Sequence, residues 1–207
     1  MPVSPNYWWV RRSTKAPYRS PFTEDLPDKV DPAYIDRMTA AYSPDTVKVA
    51  NAIFNEERSE GVEAMNAAAW VIINRVKNKY HGEDTTLDGV LEKGIYGYNR
   101  EDPVVVANGA PGDQEAWKFA LETADKALAG EGEDPTGGKE YFINFDPALL
   151  PGFAVQGWSR DQFAQYLTQW ASDHPGFEWL QFGTYQKNMF VMSDWHVMDS
   201  LAVNRSQ

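Results

Sequence analysis

The strongest constraint on the fold is a pair of apolar stripes at helical spacing, separated by one glycine. Val62, Met65, Ala69, Ile72 and Val76 recur at i, i+3, i+7, i+10 and i+14, so they share one side of a helix. Before them, Val47, Ala50, Ile53 and Phe54 recur at the same spacing, and Gly61 breaks the pattern between the two. Ser43-Pro44 opens the earlier stripe with a cap acceptor and a proline at the first helical position. The spacing predicts a helix to about Glu57 or Arg58 and another ending near Tyr80, with His81-Gly82 as its stop.

Further elements follow from the same signals. Asp31-Pro32 starts a short helix to about Tyr42, and Leu87 to Leu91 reads as another. Gly94 to Gly112, rich in Gly, Asn, Asp and Pro, reads as a long loop of the kind that carries function. Asp113 is a candidate cap for a helix whose face is Trp117, Ala120, Leu121, Ala124, Ala127 and Leu128, closed by Gly130. Glu131 to Gly138 is a turn-rich connector, and Lys139 to Phe145 has strand composition. Ser159 with Gln162 forms a capping box for a helix through Phe163, Tyr166, Leu167 and Trp170, ended by Asp173 to Gly176. Gly183 to Met192 has room for a last strand.

Composition narrows the function. The 207 residues suffice for a core without disulfides, and the absence of cysteine removes thiolate metal sites and cysteine nucleophiles. No apolar run approaches the ~20 residues of a membrane helix, and residues 1–20 hold no apolar stretch of signal-peptide length. A net charge of −11 argues against nucleic acid as a partner. Residues 1–20 are the exception, with Arg11, Arg12, Lys15 and Arg19, no acid, and Tyr7, Trp8, Trp9 and Tyr18 among several prolines. Residues 1–30 read as an extended arm, either a floppy terminus or a docking element, and 31–207 as the folded domain.

The three histidines, His81, His174 and His196, are far apart, and no metal-site, P-loop, dinucleotide or serine-elbow pattern occurs. No metal or cofactor is expected. Carboxylates remain as the catalytic resource. Asn55-Glu56-Glu57-Arg58-Ser59-Glu60 sits at the end of a striped helix, with Glu56 three residues after Ile53 and so near the apolar side. An acid pressed against apolar neighbours is disfavoured as an anion, which suits a general acid. Glu60 follows at i+4, and Arg58 is placed to pair with either acid. The alternative is a solvated acidic helix end.

The order of segments from about Val47 to Asn144 resembles the SleB-like cell wall hydrolase family of the spore cortex-lytic type. Phe54-Asn55-Glu56-Glu57-Arg58-Ser59-Glu60 stands where the family has tyrosine-glycine-glutamate-alanine-arginine-glycine-glutamate. Ile72-Ile73-Asn74-Arg75-Val76, Asp88-Gly89-Val90-Leu91, Ala127-Leu128-Ala129-Gly130, Asp134-Pro135-Thr136-Gly137-Gly138 and Tyr141-Phe142-Ile143-Asn144 follow in the family's order. The chain departs from the pattern at Asn55, Glu57 and Ser59, and Gly183-Thr184-Tyr185 lacks the family's closing histidine.

The resemblance implies a mostly helical α+β fold with a lysozyme-like or lytic-transglycosylase-like core and a small β element. It implies cleavage of the MurNAc–GlcNAc strand of peptidoglycan, with Glu56 as the general acid. In transglycosylase chemistry the muramic 6-hydroxyl closes an anhydro ring and no second nucleophile is needed. Hydrolysis would need a second carboxylate, for which Glu57, Glu60, Glu63 and Asp134 are candidates. Candidate supporting residues are Glu60, Arg58, Asn74, Tyr96, Tyr98, Thr136, Gly137, Tyr141 and Asn144. Asn74 could contact a sugar acetamido group, or tie its helix to a loop. Thr136-Gly137 could admit a glycan to the backbone, or make a tight turn. Tyr96 and Tyr98 suit sugar rings from a loop, whereas Tyr141 divides between cleft and core. Trp70 and Trp117 are expected in the core.

Two other readings stay open: an assembly protein that keeps the fold with little activity, and a carbohydrate-binding module. With no visible export signal, the expected route to the cell wall is carriage on a phage particle, the arm binding a virion or tail protein, or release through a holin-type lesion.

Overall fold

A computed structural model describes residues 21, 24–25, 31–78, 86–95, 98, 112–146, 153–155, 157–183 and 188–202. Among them lie seven helices and three strands. Tyr80, His81-Gly82, Tyr96, most of the expected loop and nearly all of the arm fall outside the described residues.

Helix α1 (Pro32–Ala40) starts where Asp31 accepts the Ala33 N–H, and α2 (Pro44–Glu57) starts where Ser43 accepts the Thr46 N–H. Each of these caps satisfies a donor left open in a first helical turn. Gly61, at φ 91°, makes the break before α3 (Val62–Lys77). An L side chain is strained there, so the two long helices can turn this tightly only on glycine. Helix α3 is the central one. Ala64, Ala67, Ala68 and Ala69 are fully buried, so neighbouring backbones approach closely. Helix α4 (Leu87–Gly94) packs on α3, and α5 (Asp113–Ala129) packs across α2 and α3. Gly112, rather than Asp113, is the N-cap of α5, and Gly130 closes it in the left-handed region.

Trp117 of α5 meets Phe54 of α2 edge to face at 5.6 Å. Its indole N–H donates to Thr39 Oγ1 at 3.0 Å, so a buried donor is satisfied while the ring fills the core. Trp70 is also buried, as expected. One short piece of the N-terminal region is described: the Glu24 carboxylate meets Arg37 at 3.0 Å, and its carbonyl accepts from Tyr34 Oη.

The sheet has the order β1-β3-β2, all antiparallel, from β1 (Tyr141–Asn144), β2 (Trp179–Phe182) and β3 (Met189–Met192). Its alternation divides two cores. Phe142, Phe182, Met189 and Val191 join the helical core, whereas Ile143, Phe190, Met192 and Trp179 face α6 (Arg160–Asp173). There Phe145 stacks on Phe163 at 4.4 Å, and Phe163 meets Phe190 edge to face at 5.0 Å. The capping box of Ser159 and Gln162 is present with both of its bonds. Helix α7 (His196–Asp199) and strand β2 were not expected, and the last strand occupies only the end of the Gly183–Met192 range. The result is a mostly helical α+β domain.

Candidate active site

The last turn of α2 carries two acids and no basic residue, against the helix dipole, whose C-terminal end is negative. Their environments differ. Glu56 is half-buried and borders solvent, while Glu57 is fully buried and Glu60 is 5% exposed. The apolar rows of α2 explain the split: Thr46, Ala50 and Ile53 lead at helical spacing to Glu57, so this carboxyl points into the core. The Glu57 carbonyl then accepts from the N–H groups of Glu60 and Gly61 at 3.0 and 3.1 Å, which folds the chain into α3.

Asn144, the last residue of β1, reaches this turn from 87 residues away. Its Nδ2 donates to Glu57 Oε1 at 2.9 Å and to the Glu56 carbonyl at 3.3 Å. Glu60 Oε2 accepts the Asn188 N–H at 3.3 Å. The Glu57 pKa is pushed up to about 8, chiefly by burial; the Asn144 hydrogen bond opposes this, and the charges of Glu56 and Glu60 add to it. Arg58 lies with its guanidinium over the Phe54 ring at 5.0 Å and Nε 3.9 Å from Asp113 of α5.

The remaining expected residues divide into two groups. Asn74 is nearly buried and donates from Nδ2 to Asp134 Oδ2, Thr136 Oγ1 and the Lys139 carbonyl at 3.0, 3.1 and 3.2 Å. It ties α3 to the connector, the structural alternative of its two readings. Asp134 accepts from the Thr136 N–H and Oγ1 and the Gly138 N–H as well, all within 2.8 Å. Burial pushes the Asp134 pKa up, but these donors outweigh it and hold the carboxyl below its ordinary range. Thr136 is fully buried and Gly137 sits at φ 63°, as a tight turn requires.

Thr136 and Gly137 also line an open cleft of about 850 Å³ with Lys139, Glu178, Trp179 and Phe182. Phe182, at one edge of this cleft, and Asn144 flank Met189 from opposite sides, whereas Trp179 lies at the other end of the sheet, level with Tyr141. Two interstrand steps of about 4.8 Å separate the outer strands. Tyr141 faces the other way, into the α6 core, stacked near Trp195 at 6.1 Å. Tyr98 packs on the helical core, its hydroxyl pKa raised mainly by burial. Glu57 as a buried partner of Asn144 and Asn188 as a partner of Glu60 were not anticipated; the run Thr46, Ala50, Ile53 was the available signal for the first.

A family model described as Cell Wall Hydrolase matches residues 59–169, just over half of the chain, and the chain belongs to that family. The match takes in Glu60, Asn74, Asp134, Thr136 and Asn144, and begins just after the Glu56-Glu57 turn. The chain is also 30% identical over 148 residues to the spore cortex-lytic enzyme of Halalkalibacterium halodurans, a stretch covering 67% of this chain and 39% of that protein. The chain thus spans well under half the length of that relative. No solved structure matches it.

Proposed function

We propose that the protein degrades peptidoglycan by cutting its glycan strand between MurNAc and GlcNAc as a lytic transglycosylase, with Glu56 as the general acid. The observation that carries this reading is the exposure pattern of the acid run. Glu57 and Glu60 are buried, and Glu56 is the carboxyl that borders solvent. Its backbone is fixed from below by Asn144. Membership of the cell wall hydrolase family supports the substrate class.

The Glu56 carboxyl donates its proton to the glycosidic oxygen as the bond to the muramic C1 breaks. The resulting carboxylate then takes the proton of the 6-hydroxyl, whose oxygen closes on C1 to give the anhydro ring. Acid and base are one residue. The candidates for a second carboxylate support this economy. Asp134 is engaged by four donors, three in its own connector and the fourth from Asn74 of α3, and a Glu57 held neutral is no nucleophile. Glu63 lies in the exposed first turn of α3.

The test is zymography on purified peptidoglycan. Glu56→Gln, which keeps the shape and removes the proton, should lower clearing by about 100-fold or more. Full clearing by the variant contradicts the assignment.

A further inference from the structure

Asn144 and Glu57 leave a specific hydrogen-bonding remainder. Among the described residues, the buried side-chain oxygen and nitrogen atoms without a partner are Glu57 Oε2 and Asn144 Oδ1. They are the two remaining oxygens of one acid–amide pair, whose other atoms already bond at 2.9 Å. An ionised Glu57 would make both of them acceptors, with no donor for either. A single proton on Glu57 satisfies both. The amide geometry is consistent with this, because the second N–H of Asn144 is used on the Glu56 carbonyl.

We infer that Glu57 and Asn144 form a neutral, doubly hydrogen-bonded acid–amide ring, with the proton on Glu57 Oε2 donated to Asn144 Oδ1, and that this ring is the positioning clamp for Glu56. The second half rests on the reading of Glu56 as the general acid; the ring itself does not. The clamp joins the end of α2 to the end of β1, so it fixes the backbone of the reacting residue from an element distant in sequence. The family pattern has alanine in place of Glu57, so the ring is a device of this chain.

The clamp titrates. The charges acting on Glu57 are those of Glu56 and Glu60 on its own turn, both acidic. From β1 the facing group is the uncharged Asn144, and from the residue before β3 the Asn188 N–H is taken by Glu60. From α5, Asp113 lies 3.9 Å from Arg58. Arg58, the positive charge nearest in sequence, is turned onto the Phe54 ring and towards Asp113, and the charges that act on Glu57 are both negative. When its proton leaves, two bare oxygens face each other beside two further acids, and the ring opens. The burial that raises the Glu57 pKa to about 8 places this event at mildly alkaline pH. Glu57 is a positioning residue, since it touches Glu56's support and not the substrate.

The experiment uses the full chain, labelled with 13C at the glutamate carboxyls, beside Glu57→Gln. The amide of glutamine rebuilds the ring with no titrating proton. The Glu57 carboxyl signal, identified by its loss in Glu57→Gln, should report a neutral acid at pH 7 and titrate near pH 8. Peptidoglycan clearing by the wild type should fall over the same interval, while Glu57→Gln keeps its rate above it. Asn144→Leu, which removes both donors, should lower kcat about tenfold with KM little changed. An ionised Glu57 at pH 7 overturns the ring, and an alkaline limb unchanged in Glu57→Gln overturns the clamp. A fully active Glu56→Gln with an intact Glu57 titration overturns the acid assignment and the positioning role, and upholds the ring.

Discussion

At the end of α2, Glu57 is fully buried with one hydrogen-bond donor, and its pKa rises to about 8. In the connector before β1, Asp134 is half-buried among four donors, and its pKa falls. Burial pushes both carboxyls the same way. Deeper burial, one donor and two neighbouring acids keep Glu57 neutral, whereas half-burial and four donors favour the Asp134 anion. The first region keeps a proton in the core at the end of α2, and the second fixes an anion as the hub of a turn. Asp134 lies within the stretch that the family model matches and Glu57 just before it, and the two acids serve opposite purposes.

The comparison can be broken at several strengths. The largest effect belongs to the solvent-bordering neighbour, Glu56: its glutamine variant loses about 100-fold or more of activity while keeping wild-type stability, so an equal loss of stability would make Glu56 structural. Next is the pH dependence of unfolding. A folded-state pKa raised above the ordinary 4.5 means that Glu57 binds more protons folded than unfolded between about pH 4.5 and 8. Wild-type stability should therefore fall with rising pH across that window, by about 1.4 kcal/mol per unit from this group. Glu57→Gln should match the wild type near pH 4 and become more stable than it by several kcal/mol at pH 8, in urea titrations at each pH. Parallel curves would place Glu57 among ordinary ionised acids.

Asp134→Asn should cost about 2–4 kcal/mol at pH 7, since it loses charge-assisted bonds from Thr136, Gly138 and Asn74. Its sign is opposite: a lowered pKa gives stability that is present above the ordinary value of 3.8 and is lost as pH falls further. The deficit of the variant should accordingly shrink in acid. The smallest effect concerns the junction that turns the chain from α2 into α3. Gly61→Ala, at φ 91°, should cost about 1–3 kcal/mol in the same titrations.

Local signals carried most of the helices. Ser43-Pro44 marked the start of α2, Gly130 the end of α5, and Ser159 with Gln162 the start of α6. The sheet was harder to read. Strand β2 is four half-buried residues with no alternation, and its pairing with β3 places the third strand between the other two. The acid run was legible as a helix end, yet the choice between its members depended on which carboxyl faced the core. The periodicity of Thr46, Ala50 and Ile53 points at Glu57, whereas attention to Ile53 alone selects Glu56. Contacts from Asn144 to that turn span 87 and 88 residues, and no local pattern encodes them.

The central claim is that Glu56 acts as the single acid and base, with Glu57 neutral and Glu60 and Asp134 held by donors. The mass of the muropeptides released from purified peptidoglycan tests it most directly. The account predicts products ending in anhydro-muramic acid, lighter by one water than hydrolysis products, and none from Glu56→Gln. Reducing ends released by the wild type would contradict it, because they require a water and a second carboxylate in play.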